Sequence, residues 1–161
     1  WRANIMVEVG GKAPDFILRS NRGEEVSLSQ YLKEGKNVIL SVHVASFTAG
    51  WADQVSDFRR NNSQFEERNT QVLGISTDSS WSQRTFTTAL GNINYPLLAD
   101  FHPKGEVCES YGIYNEQRGN GHRAIIIIDK QGIVRYKKIW ERGIPGTEEV
   151  LAELDAVLKD Q

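Results

Sequence analysis

The sequence predicts an α/β fold in which helices cover both faces of a mixed β-sheet. Nearly continuous aliphatic runs, typical of buried strands, alternate along the chain with longer segments whose apolar residues recur at helical spacing. The last two aliphatic runs are consecutive and joined by a short turn, which predicts an antiparallel pair. A sheet that mixes parallel and antiparallel neighbours follows from these two observations.

The first half of the chain predicts a hairpin, a buried strand and a helix. Residues 15–18 and 24–28 flank a turn at Gly23, which favours a β-hairpin. Residues 37–44 are almost entirely β-branched and aliphatic, so we expect a central strand buried on both faces. Residues 48–69 have the period of an amphipathic helix. Its apolar stripe consists of Trp51, Val55, Phe58 and Phe65.

A second strand and helix follow. Residues 71–76 predict another buried strand, and residues 80–90 a helix. The spacing of Ser80 and Gln83 fits a capping box at the start of that helix. Residues 37–90 are therefore predicted to form alternating strands and helices.

The sequence from residue 97 onward predicts a short strand, a short helix, a hairpin and a final helix. The strand covers residues 97–99 and the helix residues 106–111. Residues 123–128 and 133–140 predict the two strands of the hairpin, joined by a turn that contains a glycine. Thr147 begins the last helix, with two glutamates in its first turn.

Length and charge favour one domain and exclude two kinds of partner. The 161 residues carry 19 Lys and Arg against 21 Asp and Glu, so we expect a single domain over 1–161, with 1–5 as a leader outside its fold. No basic cluster is present, which argues against nucleic acid. The longest apolar stretch, residues 124–128, is far shorter than the roughly 20 residues that cross a bilayer, so no membrane partner is predicted.

The single cysteine and the three histidines limit the possible sites. One cysteine allows neither an internal disulfide nor a cysteine-rich zinc site, which indicates a cytoplasmic protein. The histidines lack the spacing of metal ligands. We therefore predict neither a metal nor another cofactor.

Three stretches and the order of the elements resemble a known family. Residues 10–16 read GGKAPDF, similar to its G-x-x-A-P-D-F, and residues 95–100 read YPLLAD, similar to its F/Y-P-L-L-x-D. Arg123, followed by DKQG at 129–132, resembles its R-x-x-F-x-I-D-x-x-G. Over nearly its whole length the chain resembles a peroxiredoxin of the AhpC/TSA antioxidant family, closest to the AhpE-type branch. The resemblance implies a thioredoxin-like fold with an N-terminal β-hairpin, and an oxidoreductase ancestry.

The family's active-site motif, P-x-x-x-T-x-x-C, corresponds to residues 44–51, VASFTAGW. Thr48 matches the motif, but Val44 replaces its proline and Trp51 its peroxide-reacting cysteine. Gln54 stands where many members have glutamate. An indole N–H only donates hydrogen bonds and has no accessible ionisation, so Trp51 cannot act as the nucleophile. The motif therefore predicts a degenerate site.

Other residues of the predicted site follow from the same resemblance and from the helical period. Arg123 matches the arginine that polarises the peroxide. With no thiolate present, we expect Arg123 and the N–H groups of residues 49–51 to be unpaired and to bind a small anion. The stripe directs Trp51 into the former pocket, which Val44, Phe47, Gln54 and His43 would line.

His43 and Cys108 each have a structural and a chemical interpretation. Ser41 and His43 alternate onto one strand face, but no orienting acid accompanies them, which favours a hydrogen-bonded core histidine over a hydrolase site. Cys108 lies between Glu106 and Glu109, whose charges would oppose thiolate formation. A small packed hydrophobic residue is the favoured interpretation, with a redox role as the alternative.

Three functional hypotheses remain open at this point. The chain is a non-catalytic binding or interaction module, a thiol peroxidase that reduces hydroperoxides through Cys108, or a protein that holds a small anion in the former peroxide pocket. The resemblance also implies a homodimer or a higher oligomer, formed through the faces that flank the active-site helix and through residues 101–111.

Overall fold

A computed structural model of the chain describes residues 6–48 and 50–161. Within this part the strands are β1 (Ile17–Ser20), β2 (Glu25–Ser27), β3 (Asn37–Val42), β4 (Thr70–Ser76), β5 (Leu97–Ala99), β6 (Tyr114–Asn115), β7 (Asn120–Gly121), β8 (Ala124–Ile128) and β9 (Val134–Ile139). The helices are α1 (Leu28–Lys33), α2 (Trp51–Arg60), α3 (Asn62–Glu66), α4 (Ser80–Ala89), α5 (Glu106–Ser110) and α6 (Thr147–Lys159). None of these helices combines the length and apolarity needed to cross a bilayer.

Seven of the described strands form one mixed sheet in the order β2-β1-β5-β4-β3-β8-β9. β3 runs parallel to β4 and antiparallel to β8, and β4 runs parallel to β5. The hairpins β1–β2 and β8–β9 are antiparallel. All six residues of β3 are buried. The mixed sheet and both predicted hairpins are confirmed, and the strand predicted over 37–44 lies inside the sheet between β4 and β8, although it ends at Val42.

Helices pack on both faces of the sheet, as predicted. One face carries α1 and α5, which pack with Val38, Leu40 and Ile126. The other face carries α2, α4 and α6, which pack with Ile39 and Ile127. Because side chains alternate along a strand, Ser41 and His43 share the face of Ile39 and point toward α2.

The prediction of a single helix over residues 48–69 is wrong at the start of the helix and in its middle. Helix α2 begins only at Trp51, because Gly50 has a left-handed φ of 82° that does not continue a right-handed helix. It stops at Asn61, whose side chain donates to the Asp57 carbonyl at 2.8 Å. An asparagine amide that bonds to a local carbonyl competes with the helical backbone pattern. The chain resumes as the short helix α3.

The start of α4 also differs from the prediction. Ser79 rather than Ser80 caps the helix, and its Oγ accepts from the N–H of Ser82 at 3.2 Å. Gln83 is buried and donates instead to Ser76 Oγ and to the Leu98 carbonyl, each at 2.9 Å. A glutamine that joins the helix to the sheet is unavailable for the predicted capping box.

Two elements were missed. Helix α1 begins at Leu28, where the predicted strand over 24–28 ends, and a complete capping box between Ser27 and Gln30 opens it. The ribbon β6–β7 joins residues too polar and too short to show a period. It is nevertheless the element that closes one side of the candidate site.

Candidate functional site

The segment that resembles the family motif is the connection between β3 and α2. It leaves the centre of the sheet after Val42 and enters the helix at Trp51. Phe47 has a φ of 66° and Gly50 a φ of 82°, so two positions of this tight connection lie in the left-handed region. Such a conformation disfavours a bulky side chain like that of Phe47 and persists only where surrounding contacts hold it.

Asp78 provides that contact from the end of β4. Its Oδ2 accepts from the Ser46 N–H at 2.7 Å and from Ser46 Oγ at 2.8 Å. The same oxygen accepts from Ser76 Oγ at 2.8 Å. Three donors to one carboxylate oxygen fix the connection to the neighbouring strand. Sequence reasoning missed Asp78, because a single carboxylate after a strand carries no motif.

Trp51 lies wholly inside the protein, with 0% of its surface exposed. Its ring contacts Phe86 of α4, and the His43 and Phe47 ring centroids lie 5.0 Å and 6.3 Å from its own. Phe47 packs edge-on against Phe86 at 4.9 Å but remains 65% exposed. The predicted inward orientation of Trp51 and the burial of the rest of its stripe are confirmed.

Several polar groups are buried around the Trp51 ring. Gln54 Nε2 donates to Ser41 Oγ at 2.9 Å, which joins α2 to β3. Within the described part of the chain, Trp51 Nε1, His43 Nε2 and Gln54 Oε1 have no hydrogen-bond partner. A buried polar atom without a partner is costly, on the order of 1–3 kcal/mol. At the start of α2 a packed aromatic ring therefore lies over an incompletely paired polar cluster.

His43 is buried, as expected of a core histidine, but it differs from the expectation in its bonding. Its backbone N–H donates to the Ile75 carbonyl at 3.0 Å, while its ring Nε2 is unpartnered within the described residues. The pKa of His43 is lowered to about 3, chiefly because the imidazole is buried; the Asp78 charge opposes this shift and the Arg123 charge adds to it. The imidazole is therefore neutral at physiological pH.

Arg123 immediately precedes β8 and lies beside the start of α2. Its Nη1 donates to the Gly143 carbonyl at 2.7 Å. The Trp51 N–H donates to the Thr48 carbonyl at 3.4 Å. The expectation that these two donors are unpaired is therefore wrong, because carbonyls of the protein itself accept from them. Ala49, also named in that expectation, lies outside the described residues.

A cavity of about 320 Å³ opens beside this segment, between the ribbon β6–β7 and the end of β9. Val44, Thr48 and Arg123 line it, so three of the predicted site residues come together. Its other polar and charged lining residues are Asn115, Arg118, Asn120, His122 and Glu141. The rings of Trp51 and His43 and the Gln54 amide lie in the core below. The predicted site is thus divided into an open, largely cationic cavity and a closed aromatic cluster.

Cys108 lies in α5, on the sheet face opposite α2, and is 1% exposed. Burial raises the pKa of its thiol well above the usual value, and the charge of Asp100 raises it further. Asp100 also accepts the backbone N–H of Val107 at 3.1 Å and of Cys108 at 2.9 Å. The packed environment expected of Cys108 is confirmed, but the opposing carboxylate is Asp100 rather than Glu106 or Glu109.

The chain is similar in sequence to known peroxiredoxins. The model of the AhpC/TSA family matches residues 9–137. Alkyl hydroperoxide reductase E of Mycobacterium tuberculosis is 33% identical over 138 residues, which cover 86% of this chain and 89% of that protein. The chloroplastic 2-Cys peroxiredoxin BAS1 of Arabidopsis thaliana is 33% identical over 166 residues, covering 97% of this chain and 61% of that protein.

Solved structures agree in fold. Enterococcus faecalis AhpC superposes with a TM-score of 0.86 at 26% identity, covering 94% of this chain and 92% of that one. The reduced 2-Cys peroxiredoxin of Plasmodium vivax gives a TM-score of 0.85 at 25% identity, covering 94% of this chain and 97% of that one. The thioredoxin-like fold with its N-terminal hairpin is confirmed.

Proposed function

We propose that this chain, which belongs to the AhpC/TSA family of peroxiredoxins, has lost cysteine-based peroxidase chemistry and works as a non-catalytic binding or interaction module. The observation that carries the proposal is the buried Trp51 ring at the position of the reacting thiol. We also propose that residues 6–161 form one domain. A single cysteine is in keeping with a cytoplasmic protein, which is the location we propose.

The chemical argument concerns the nucleophile. In thiol-dependent peroxide reduction a thiolate attacks one peroxide oxygen, the O–O bond breaks and the sulfur is oxidised to a sulfenic acid. A helix N-terminus and a neighbouring guanidinium stabilise such a thiolate. Here Arg123 and the start of α2 supply that environment, but the residue within it is an indole with no lone pair to donate.

The alternative function is peroxide reduction through Cys108, in keeping with relatives that are named alkyl hydroperoxide reductase and 2-Cys peroxiredoxin. That role requires an accessible thiol with a lowered pKa. Cys108 is 1% exposed and its pKa is raised by burial and by Asp100. Both features favour an inert, packed thiol.

We expect the purified protein to consume hydrogen peroxide, with dithiothreitol as reductant, no faster than an ordinary exposed cysteine reacts. The reason is that residue 51 offers no nucleophile and Cys108 is buried. Peroxide loss is followed for the parent and for Cys108→Ser. Rapid, saturable turnover in both proteins contradicts the proposal, and turnover lost only in Cys108→Ser establishes the alternative.

A second candidate function is the binding of a small anion in the cavity beside Thr48. The favouring observation is that the guanidinium groups of Arg118 and Arg123 line the same cavity, with only Glu141 opposing them among its described lining residues. Charge-assisted hydrogen bonds from arginine suit carboxylate and sulfate. We expect millimolar sulfate or acetate to raise the melting temperature, and Arg123→Ala to abolish the increase. No increase beyond that in chloride of equal ionic strength contradicts this candidate.

We further propose a homodimer, or a higher oligomer built from it, formed through faces flanking α2 and through residues 101–111. Exposed aromatic side chains near these faces support the proposed interface. Phe47 is 65% exposed, Trp81 70% and Phe101 50%. Aromatic residues are enriched in protein interfaces. Sedimentation at tens of micromolar is expected to give at least twice the 18.2 kDa chain mass. A monomer contradicts the proposal. If the surface around Trp81 belongs to the interface, Trp81→Ser lowers the mass observed in sedimentation.

A further inference from the structure

We propose that a second pocket, between the β1–β2 turn and α4, binds a phosphate-bearing small molecule. It has a volume of about 400 Å³ and shares no lining residue with the cavity around Arg123. Its polar lining consists of Asn21, Arg22, Arg84, Thr87, Thr88 and Asn92. We refer to it below as the Arg22–Arg84 pocket.

The floor of the Arg22–Arg84 pocket is rigid. Asn21 is 6% exposed and Thr87 5% exposed. The Asn21 side chain accepts from the Leu97 N–H at 3.1 Å and donates to Thr87 Oγ1 at 3.4 Å. These bonds join the hairpin turn to β5 and to α4. A ligand that enters the pocket therefore meets a preformed surface, which limits the entropy lost on binding.

Each arginine is positioned by one bond to the backbone. Arg22 Nη2 donates to the Ile93 carbonyl at 3.2 Å, and Arg84 Nε donates to the Asn21 carbonyl at 3.2 Å. Across residues 6–48 and 50–161 the other guanidinium N–H groups of this pair have no hydrogen-bond partner. A guanidinium carries five N–H donors in a planar fork that matches the oxygens of a phosphate. Both arginines are thus oriented while most of their donors remain available.

The charge balance of the pocket favours an anion with two negative charges. Its described lining contains no carboxylate, and neither arginine forms an ion pair with a described residue. Two neighbouring guanidinium groups repel one another unless an anion lies between them. A phosphate monoester near neutral pH carries between one and two negative charges and offers three acceptor oxygens.

The remaining lining and the size identify the ligand class further. The Thr88 hydroxyl and the Asn92 amide add neutral polar groups at the rim. A volume of about 400 Å³ exceeds that of a phosphate group alone and falls within the usual range for small-molecule pockets. The pocket therefore has room for an organic group attached to the phosphate. This inference is independent of the peroxidase question, because none of its residues belongs to the former active site.

The test is a titration of the full chain with glycerol 3-phosphate and with inorganic phosphate, each against sodium chloride of equal ionic strength. Binding is followed by amide chemical shifts in two-dimensional NMR and by calorimetry. We expect saturable shifts at Gly23, Thr88 and Asn92, and binding at least 10-fold weaker in Arg22→Gln and in Arg84→Gln. Arg84→Lys keeps the charge without the fork and is expected to weaken binding several-fold.

Two controls assign the site. Arg60→Gln removes an exposed arginine that pairs with Asp57 at 3.6 Å, and Arg123→Ala alters the other cavity. Both are expected to retain the shifts at Gly23, Thr88 and Asn92, which report the Arg22–Arg84 pocket, whatever Arg123→Ala does to anion binding in its own cavity. The proposal is overturned by equal shifts in chloride, by affinity unchanged in Arg84→Gln, or by binding that Arg123→Ala abolishes and Arg22→Gln leaves intact. NMR also shows whether each variant is folded, so an unfolded variant cannot imitate a lost site.

Discussion

Replacing Trp51 by cysteine is expected to lower the free energy of unfolding by about 3 kcal/mol, the scale of large-to-small changes in protein cores. The indole is 0% exposed, contacts Phe86 and lies 5.0 Å from the His43 ring, centroid to centroid. Cysteine fills only a small part of that volume, so the substitution leaves a cavity between α2 and α4. Urea titration of the parent and of Trp51→Cys measures the loss.

Trp81 offers a matched control for this substitution. It is the same residue type, but it lies at the start of α4 with 70% of its surface exposed. At protein concentrations low enough for the chain to be monomeric, Trp81→Cys is expected to change the stability by no more than about 0.5 kcal/mol, as is usual for surface positions. If Trp51→Cys is as stable as the parent, the ring does not contribute to packing as described.

The same variant addresses the chemistry. A thiol at residue 51 would be recessed beneath Phe47 and Phe86, and desolvation raises the pKa of a buried thiol. Val44 and Gln54 would still differ from the family pattern. We therefore expect Trp51→Cys to restore little peroxide reduction with dithiothreitol. Turnover far above that of the parent would mean that the thiol alone was missing.

Continuous apolar patterns made much of the fold predictable. The run of aliphatic residues in β3 and the four consecutive isoleucines of β8 are short and rich in β-branched residues, as is typical of buried strands, and both strands are fully buried. The break at Asn61 was not predictable from this pattern. Phe65 continues the apolar stripe beyond it, so the period alone indicates one helix, whereas α2 stops at Asn61, whose amide donates to the Asp57 carbonyl.

The candidate site was less predictable than the fold because most of its geometry comes from contacts distant in sequence. The motif located Val44, Thr48 and Trp51. It could not locate Asp78, which fixes Ser46 from 32 residues away. Nor could it locate Arg118, which the unpredicted ribbon β6–β7 brings to the cavity. Contacts of this kind join residues that approach one another only once the sheet has formed, so a local motif does not predict them.

The stability of the protein is expected to fall steeply below pH 6.5 because of His43. Burial lowers the pKa of the folded-state imidazole to about 3, whereas an unfolded histidine has a pKa of about 6.5. Between these values the unfolded chain binds a proton that the folded chain does not. Stability therefore decreases as the pH falls, by about 1.4 kcal/mol per pH unit and about 3 kcal/mol in total from pH 6.5 to pH 4.

The contribution of His43 is isolated by comparing urea titrations at several pH values for the parent, His43→Phe and His102→Gln. Phenylalanine retains a ring beside Trp51 but cannot bind the proton, so the slope between pH 6 and pH 4 should become shallower by about 1.4 kcal/mol per pH unit. His102 is exposed in a loop and serves as the matched control, with the slope of the parent. The Asp and Glu side chains are the same in all three proteins, so their contribution to the slope cancels when the slopes are subtracted. An equal slope in the parent and in His43→Phe would show that the folded chain takes up this proton, in conflict with a neutral imidazole between β3 and Trp51.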